Sequence, residues 1–275
     1  MYPQGRKMAI RNDIQMIADI FTFNGEWDLL EIRLNILKDY VDQFIIVEAR
    51  ETFSGNPKPI YWFGRDRRFK PFEDKIRHYV VNSNYTQKEI ELAQSSPNTQ
   101  GAEHWRREFL QKESIKKALI HLQDEDVVFV GDADEVWEPT LANRTKDKVR
   151  KLKLKVYTYY LNSRSSEQFW GTIVGNYKDI KNECLNHLRT NSSKTSIEWG
   201  WHFTSMGGWN SVRNKLMDSY TKDTYANEQV MSNLGRNMAN NKDFLGRDFT
   251  YKVDESEWPQ FLKDNREKYK HLLKV

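Results

Sequence analysis

Three carboxylates follow directly after a run of four apolar residues near the middle of the chain. The run is Val127–Val130, and Gly131 separates it from Asp132, Asp134 and Glu135. A continuous stretch of β-branched and aromatic residues predicts a strand buried on both faces, so the acids lie at its carboxyl end. Asp132 and Asp134 point to the same side of an extended segment and repel each other unless a cation lies between them. This spacing predicts a divalent metal site, and a loop start with both acids facing water is the alternative.

A second group of residues suited to chemistry lies between Glu198 and Trp209. It combines His202 with several tryptophans and glycines. Glycine lets a backbone approach a ligand closely, and indole rings offer area for stacking on sugars or bases. His202 is a candidate third metal ligand, and the alternative is a core histidine that is hydrogen-bonded to a backbone carbonyl.

Both groups require a sheet that brings distant segments together. The spacing of apolar residues predicts a strand over 16–23, a helix over 29–40 and a second strand over 44–48. In such a β-α-β unit the ends of both strands lie on the same rim, where open α/β sheets bind ligands. Further predicted elements are a strand over 76–81, a loop over 95–101, a helix over 102–122, a strand over 156–161 and an amphipathic helix over 258–273. The fold class is therefore α/β, with a mostly parallel, Rossmann-like central sheet flanked by helices.

Composition excludes several classes of protein. The net charge of +4, from 43 Lys and Arg against 39 Asp and Glu, is too small to indicate nucleic-acid binding, although it suits an anionic small molecule. Cys184 is the only cysteine, which excludes an intrachain disulfide and favours a reducing compartment. The first residues carry no apolar segment typical of a signal peptide, and no apolar run approaches the roughly 20 residues that span a bilayer. We therefore expect a cytoplasmic protein without a transmembrane segment.

Paired acids at the end of a buried strand suit one ligand class in particular. Mg²⁺ and Mn²⁺ take one or two carboxylates and complete their coordination with phosphate oxygens and water. A sugar nucleotide offers such a diphosphate, and the ion neutralises charge on it as the glycosidic bond breaks. A two-metal nuclease, a phosphatase and a structural calcium loop also fit the acids. A nuclease, however, usually needs a further acidic cluster and a more basic surface.

Four segments, in the same order along the chain, resemble glycosyltransferase family 17, a family of N-acetylglucosaminyltransferases. They are residues 21–34, residues 47–58, Gly131–Glu135 and Gly200–Ser205. The resemblance extends over nearly the whole chain and implies a GT-A fold, a UDP-sugar donor, Mn²⁺ or Mg²⁺ as the metal and inversion at the anomeric carbon. It divides one domain of residues 1–275 into a flexible N-terminus (1–15), a nucleotide-sugar-binding half (16–140) and an acceptor-binding half with the C-terminal helix (141–275).

The resemblance also implies roles for single residues. Asp132 and Asp134 inherit the donor and metal role, with Asp134 as the direct catalytic ligand, and His202 completes the metal site. The predicted donor-binding residues are Asn24, Arg33, Glu48, Asp132 and Lys215. Two of these have alternatives: Arg33 as a structural ion-pair partner of Glu48, and Lys215 as an ordinary exposed lysine.

Inversion requires a carboxylate within hydrogen-bond reach of the attacking hydroxyl. Glu198 is the predicted base because it adjoins the Trp-His segment, ahead of Glu183 and Glu228. The tryptophans expected to line the acceptor groove, unless they are ordinary packing, are Trp170, Trp201 and Trp209.

The predicted activity is transfer of N-acetylglucosamine, or a related sugar such as xylose, from a UDP-sugar to a glycan hydroxyl. A catalytically inactive carbohydrate-binding protein and a metal-dependent phosphoesterase are the alternatives. Neither the acceptor glycan nor the oligomeric state follows from the sequence.

Overall fold

The computed structural model describes most of the chain. The described residues are 15–62, 64, 66–82, 85–96, 103–143, 148–218 and 227–274. The predicted flexible N-terminus, apart from Gln15, and most of the predicted loop over 95–101 lie outside these ranges. No helix in the described ranges has both the length and the apolar character needed to cross a membrane.

The predicted β-α-β unit is confirmed. Strand β1 is Ile17–Thr22, helix α1 is Trp27–Leu37 and strand β2 is Gln43–Ala49. The two strands pair in parallel. Helix α1 buries leucine and isoleucine side chains against the sheet, which is what their spacing predicts.

The N-terminal half of the sheet is completed by two further strands. Strand β3 is Ile76–Val81 and pairs in parallel with β2, and strand β4 is Val127–Asp132 and pairs in parallel with β1. Helices α2 (Gln87–Ser95) and α3 (Glu103–Glu113) connect them. The helix predicted over 102–122 is shorter, since a 3-10 segment replaces it from Ser114 to Ala118.

The expectation of a mostly parallel sheet holds only for this half. The described part of the chain forms one nine-stranded sheet in the order β3-β2-β1-β4-β7-β6-β8-β5, with β9 paired to β7. The pairs β4-β7, β6-β7, β5-β8 and β7-β9 are antiparallel, whereas β6-β8 is parallel. The strands of this half are β5 (Glu135–Trp137), β6 (Arg150–Thr158), β7 (Ser163–Asn176), β8 (Ser193–Thr204) and β9 (Tyr251–Val253).

Short helices surround the C-terminal half. They are α4 (Tyr177–Ile180), α5 (Leu185–Asn191), α6 (Gly208–Asp218), α7 (Glu228–Ala239) and α8 (Gln260–Asp264). The single helix predicted over 258–273 is thus replaced by α8 and a 3-10 turn from Lys270 to Leu272.

Buried apolar residues cover both faces of the sheet. Strand β4 shows this directly, because Phe129 belongs to one buried cluster while Val128 and Val130 belong to another. Helices α6 and α7 form a third, smaller cluster with Tyr159. Because both faces of β4 are covered, its carboxyl end is the place where polar groups of this strand reach solvent.

Candidate active site

Asp132 lies at the carboxyl edge of the parallel half of the sheet. The parallel register places it beside Thr22, the last residue of β1, and Thr22 Oγ1 donates a hydrogen bond of 2.8 Å to Asp132 Oδ1. The other carboxylate oxygen, Oδ2, faces Arg189 Nη2 at 3.1 Å and Lys112 Nζ at 3.8 Å. Burial acts to raise the pKa of Asp132, but the two cations outweigh it and hold that pKa well below its usual range. The carboxylate is therefore ionised and fixed on both sides.

Asp134 has a different set of neighbours. Its Oδ2 accepts a hydrogen bond from Lys215 Nζ at 3.1 Å and lies 3.6 Å from His202 Nε2. Burial again opposes ionisation, but the ammonium of Lys215 and the contact with the His202 ring outweigh it and lower the pKa of Asp134. The structure thus brings together three residues that are predicted to act on the donor or the metal.

Strand pairing explains why His202 reaches Asp134. His202 lies on β8 opposite Glu135 of β5, directly after the acidic pair. The close approach of β8 to β5 requires Gly200, which has φ +136°; a Cβ there would lie 2.2 Å from the carbonyl oxygen of Val136. The imidazole of His202 stacks on Phe169 at 4.0 Å between ring centroids, and its buried Nδ1 has no hydrogen-bond partner among the described residues.

Glu135 serves as a buried anchor of this edge. It is 1% exposed, and its two oxygens accept hydrogen bonds from Thr172 Oγ1 at 2.9 Å and Arg189 Nη2 at 2.9 Å. Arg189 therefore links Glu135 to Asp132. This bridge orients the guanidinium and the first aspartate together.

The prediction that Arg33 contacts the donor does not fit its position. Its side chain is 0% exposed and pairs with Asp19 through Nη2–Oδ1 at 2.6 Å and Nε–Oδ2 at 2.7 Å. Its remaining amino group donates to the backbone carbonyls of Asp132 at 3.0 Å and Glu135 at 2.6 Å. The alternative of a pair with Glu48 is also wrong, since Asp19 is the partner. Arg33 holds the turn that carries the acids.

Glu48 is likewise enclosed instead of facing a ligand. Its carboxylate accepts hydrogen bonds from the amides of Tyr61 at 2.8 Å and Trp62 at 2.9 Å, and His78 Nε2 lies at 2.9 Å. Burial acts to raise the pKa of Glu48, but these contacts outweigh it and lower that pKa. The predicted direct contact with the nucleotide is replaced by a role in fixing the segment after β2.

The loop between β1 and α1 contributes Asn24 and Glu26 to the same edge. Asn24 is exposed, and its backbone amide donates to Glu26 Oε2 at 2.7 Å. Glu26 keeps contact with solvent, yet surrounding protein desolvates its carboxyl, and together with the charge of Asp134 this raises its pKa. Asn24 therefore remains accessible to a ligand, and Glu26 is an additional acid of the site.

Comparison with known proteins identifies the family. A sequence model described as glycosyltransferase family 17 matches residues 6–214, more than half of the chain. The chain belongs to glycosyltransferase family 17. This confirms the resemblance seen in the sequence and supports sugar transfer as its chemistry.

The curated relatives that match this chain in sequence share a protein name. Proteins from Rattus norvegicus and Homo sapiens named β-1,4-mannosyl-glycoprotein 4-β-N-acetylglucosaminyltransferase are each 27% identical over 138 residues, which cover 49% of this chain. The chain spans 24% of the length of each of these relatives.

Among solved structures, a galactosyltransferase LgtC in complex with donor and acceptor sugar analogues aligns at 12% identity, with a TM-score of 0.32 and coverage of 60% of each chain. The α/β class of this family 17 chain is established by its own sheet.

The predicted acceptor residues of this family 17 protein differ in exposure. Trp201 is 4% exposed and its Nε1 donates to the carbonyl of Glu257 at 2.7 Å, so it is core packing and the prediction of a groove wall is wrong. Trp170 is half-buried: its Nε1 donates to the carbonyl of Thr195 at 3.0 Å, and Lys194 Nζ lies 4.5 Å from the ring centroid. Trp209 is 45% exposed and lies at the start of α6.

The predicted base has a defined partner. Glu198 Oε1 accepts a hydrogen bond of 3.0 Å from Arg164 Nη2. Glu198 lies on β8, the strand that also carries His202. Strand β8 therefore connects Glu198 to His202 and, through His202, to Asp134.

Several residues of the site were not found from the sequence. Arg189 and Lys112 come from separate helices, α5 and α3, and the sequence assigned neither of them a role in the site. Thr22 ends the first strand of the β-α-β unit, and the strand register makes it a neighbour of Asp132. Glu26 directly follows Asn24 and Gly25, so its position after the first strand was an available signal.

Proposed function

We propose that this chain transfers a sugar from a nucleotide-sugar donor, a UDP-sugar, to a glycan hydroxyl with the help of Mn²⁺ or Mg²⁺ and with inversion. The observation that carries the proposal is the pair Asp132 and Asp134 at the carboxyl edge of the sheet, held ionised by Arg189, Lys112 and Lys215. Such an edge offers both acids for a metal and cations for a diphosphate.

The residues present fit a metal that the donor helps to hold. Asp134 and His202 supply a carboxylate oxygen and a ring nitrogen 3.6 Å apart. The described residues contain no group of three or more His, Cys, Asp or Glu that could hold an ion alone. Mg²⁺ and Mn²⁺ commonly take one or two protein ligands and substrate phosphates, so two ligands suffice. When bound, the ion would neutralise charge on the leaving diphosphate.

The chain's own residues divide the remaining work. Asp132 is fixed by Thr22 and Arg189 and presents a rigid carboxylate to the donor. Lys215 supplies an ammonium that can reach an anionic diphosphate from α6. Glu198, oriented by Arg164, remains the proposed base that takes the proton of the attacking hydroxyl. Trp209, exposed on α6, remains the proposed acceptor contact.

The decisive experiment is a screen of nucleotide sugars for hydrolysis and for transfer to glycans, with Mn²⁺ and with EDTA. We expect turnover of one UDP-sugar that requires Mn²⁺, and its loss in Asp134→Asn with the fold retained. Asp264→Asn, which changes an exposed acid on α8, is the matched control and should keep full activity. Undiminished transfer by Asp134→Asn would remove the metal role. Glycan binding without turnover would favour a binding protein, and phosphate release without sugar transfer would favour a phosphoesterase.

A further inference from the structure

Lys215 and His202 both approach the same oxygen of Asp134, Oδ2. Lys215 Nζ donates to this oxygen at 3.1 Å, and His202 Nε2 faces the same oxygen at 3.6 Å. Asp134 and His202 would hold the divalent cation, and the ammonium of Lys215 already occupies part of the same carboxylate. Two positive charges beside one carboxylate repel each other in a partly buried site, which favours departure of the ammonium when the metal binds.

Lys215 is the cation of this edge that is free to leave. Its side chain is 50% exposed, whereas those of Lys112 and Arg189 are 15% and 16% exposed. Lys112 and Arg189 are also held by second carboxylates, Glu108 at 2.6 Å and Glu135 at 2.9 Å. The other hydrogen-bond partner of Lys215 among the described residues is a neutral hydroxyl, Thr204 Oγ1, at 3.1 Å.

The support of Lys215 also permits movement. Helix α6 buries Val212 and Leu216 in the small third cluster, against Leu234 and Met238 of α7, apart from the two clusters that cover the sheet. A displacement of the Lys215 side chain therefore leaves the packing of the sheet intact. Its four-carbon stem carries the ammonium over several ångströms without backbone change.

We propose that Lys215 is an exchangeable counter-ion of Asp134, which it neutralises in the free protein and releases when metal and donor diphosphate arrive. The ammonium then pairs with the diphosphate. This inference rests on the proposed nucleotide-sugar function. Its consequence is an order of binding: the protein has low affinity for the metal alone and takes it up together with the nucleotide.

The test measures Mn²⁺ binding to the folded protein without donor, by titration of free Mn²⁺ followed by electron paramagnetic resonance. Removal of the competing ammonium in Lys215→Met should tighten Mn²⁺ binding about fivefold, the scale of a half-exposed ion pair. Arg213→Met removes an exposed positive charge from the same helix two residues away and should change the affinity less than about twofold. Lys215→Arg keeps the charge and should bind Mn²⁺ as the wild type does.

A second titration follows uridine diphosphate in saturating Mn²⁺. Lys215→Met should bind it about tenfold more weakly, because a charged hydrogen bond to the diphosphate is lost. Tighter binding of Mn²⁺ together with weaker binding of uridine diphosphate in Lys215→Met is the result expected from exchange. Equal Mn²⁺ affinity in wild type and Lys215→Met, or uridine diphosphate binding that does not weaken, overturns the proposal.

Sugar transfer by the wild type, with Mn²⁺ and with EDTA, tests the proposed function separately from the exchange. If sugar transfer by the wild type requires Mn²⁺ while Lys215→Met binds Mn²⁺ like the wild type, the exchange alone is wrong. If the wild type transfers sugar equally well in EDTA and neither protein binds Mn²⁺, metal dependence and exchange are both wrong, and sugar transfer stands. Circular dichroism spectra and melting temperatures of the three variants show whether each one is folded.

Discussion

Two acids that form ion pairs with Arg164 allow a direct test of the proposed base at the scale of single residues. Glu198 lies 3.0 Å from Arg164, and Glu257 lies 3.9 Å from it and is 46% exposed. Glu198→Gln keeps the shape and removes the proton acceptor, so we expect kcat to fall by about 10²-fold or more with little change in KM. Glu257→Gln should keep wild-type kinetics. Wild-type kcat in Glu198→Gln would assign the base to another residue.

Arg33 supports the acidic turn without contact with substrate. Its guanidinium joins Asp19 to the carbonyls of Asp132 and Glu135 inside the core. Replacement by Met leaves Asp19 as a buried charge whose remaining side-chain donor among the described residues is Trp137 Nε1 at 3.0 Å. We expect Arg33→Met to lose about 3–5 kcal/mol of unfolding free energy in a urea titration. Lys178→Met, in an exposed pair with Glu125, is the control and should show no measurable loss. Equal stability of wild type and Arg33→Met would contradict the supporting role.

At the scale of elements, Glu48 anchors the segment that follows β2. It binds the amides of Tyr61 and Trp62 and the imidazole of His78. Its pKa in the folded protein is lowered from 4.5. A group with a lowered folded pKa stabilises the fold above its unfolded pKa, and that contribution is lost as pH falls through the folded value.

The pH dependence of this contribution can be measured. Wild type should exceed Glu48→Gln in unfolding free energy at pH 7, and the gap should shrink as pH falls below about 4.5. Urea titrations at several pH values measure the gap, and hydrogen exchange at the amides of Tyr61 and Trp62 locates the loss. A gap that is constant from pH 7 to pH 3 would show that the ionisation of Glu48 does not hold this segment.

Sequence patterns identified the buried elements whose apolar residues form a clear local pattern. Strands β1, β2, β3 and β4 and helix α1 were predicted near their observed bounds because their apolar residues are continuous or periodic. Strand β6 was predicted to begin at Val156 but begins at Arg150. The lysines of its first half alternate with the buried Leu152 and Leu154. Because the lysines are so numerous, this half was not recognised as part of the strand.

The site was predictable only where its residues adjoin such elements. Asp132 and Asp134 follow a recognisable strand, and His202 lies in a distinctive segment, so sequence reasoning selected all three. Arg189 and Lys112 reach Asp132 through the packing of α5 and α3 beside the sheet, and only the folded arrangement reveals them. The sequence also did not predict which tryptophans are exposed, because Trp201 is buried whereas Trp209 is exposed.

At the scale of the whole molecule, α6 connects the two sides of the active edge. Lys215 binds Asp134 on the strand side, and the carbonyl of Met217 accepts a hydrogen bond of 3.1 Å from Ser54 Oγ in the loop after β2. The small third cluster supports the helix, whereas large clusters cover β1 and β4. Elements with few buried contacts open at lower free energy than the core of a protein.

Hydrogen exchange should therefore separate α6 from the sheet. We expect amides of α6 to exchange faster than those of β1 and β4 in the free protein. Uridine diphosphate with Mn²⁺ should slow exchange in α6 by about tenfold, because a ligand that contacts the helix stabilises its closed state. Helix α8, which packs against α1, is the internal control and should keep its rates. If the ligand binds and exchange in α6 does not change, the helix takes no part in holding the donor, and Lys215 would lose its proposed contact with the diphosphate.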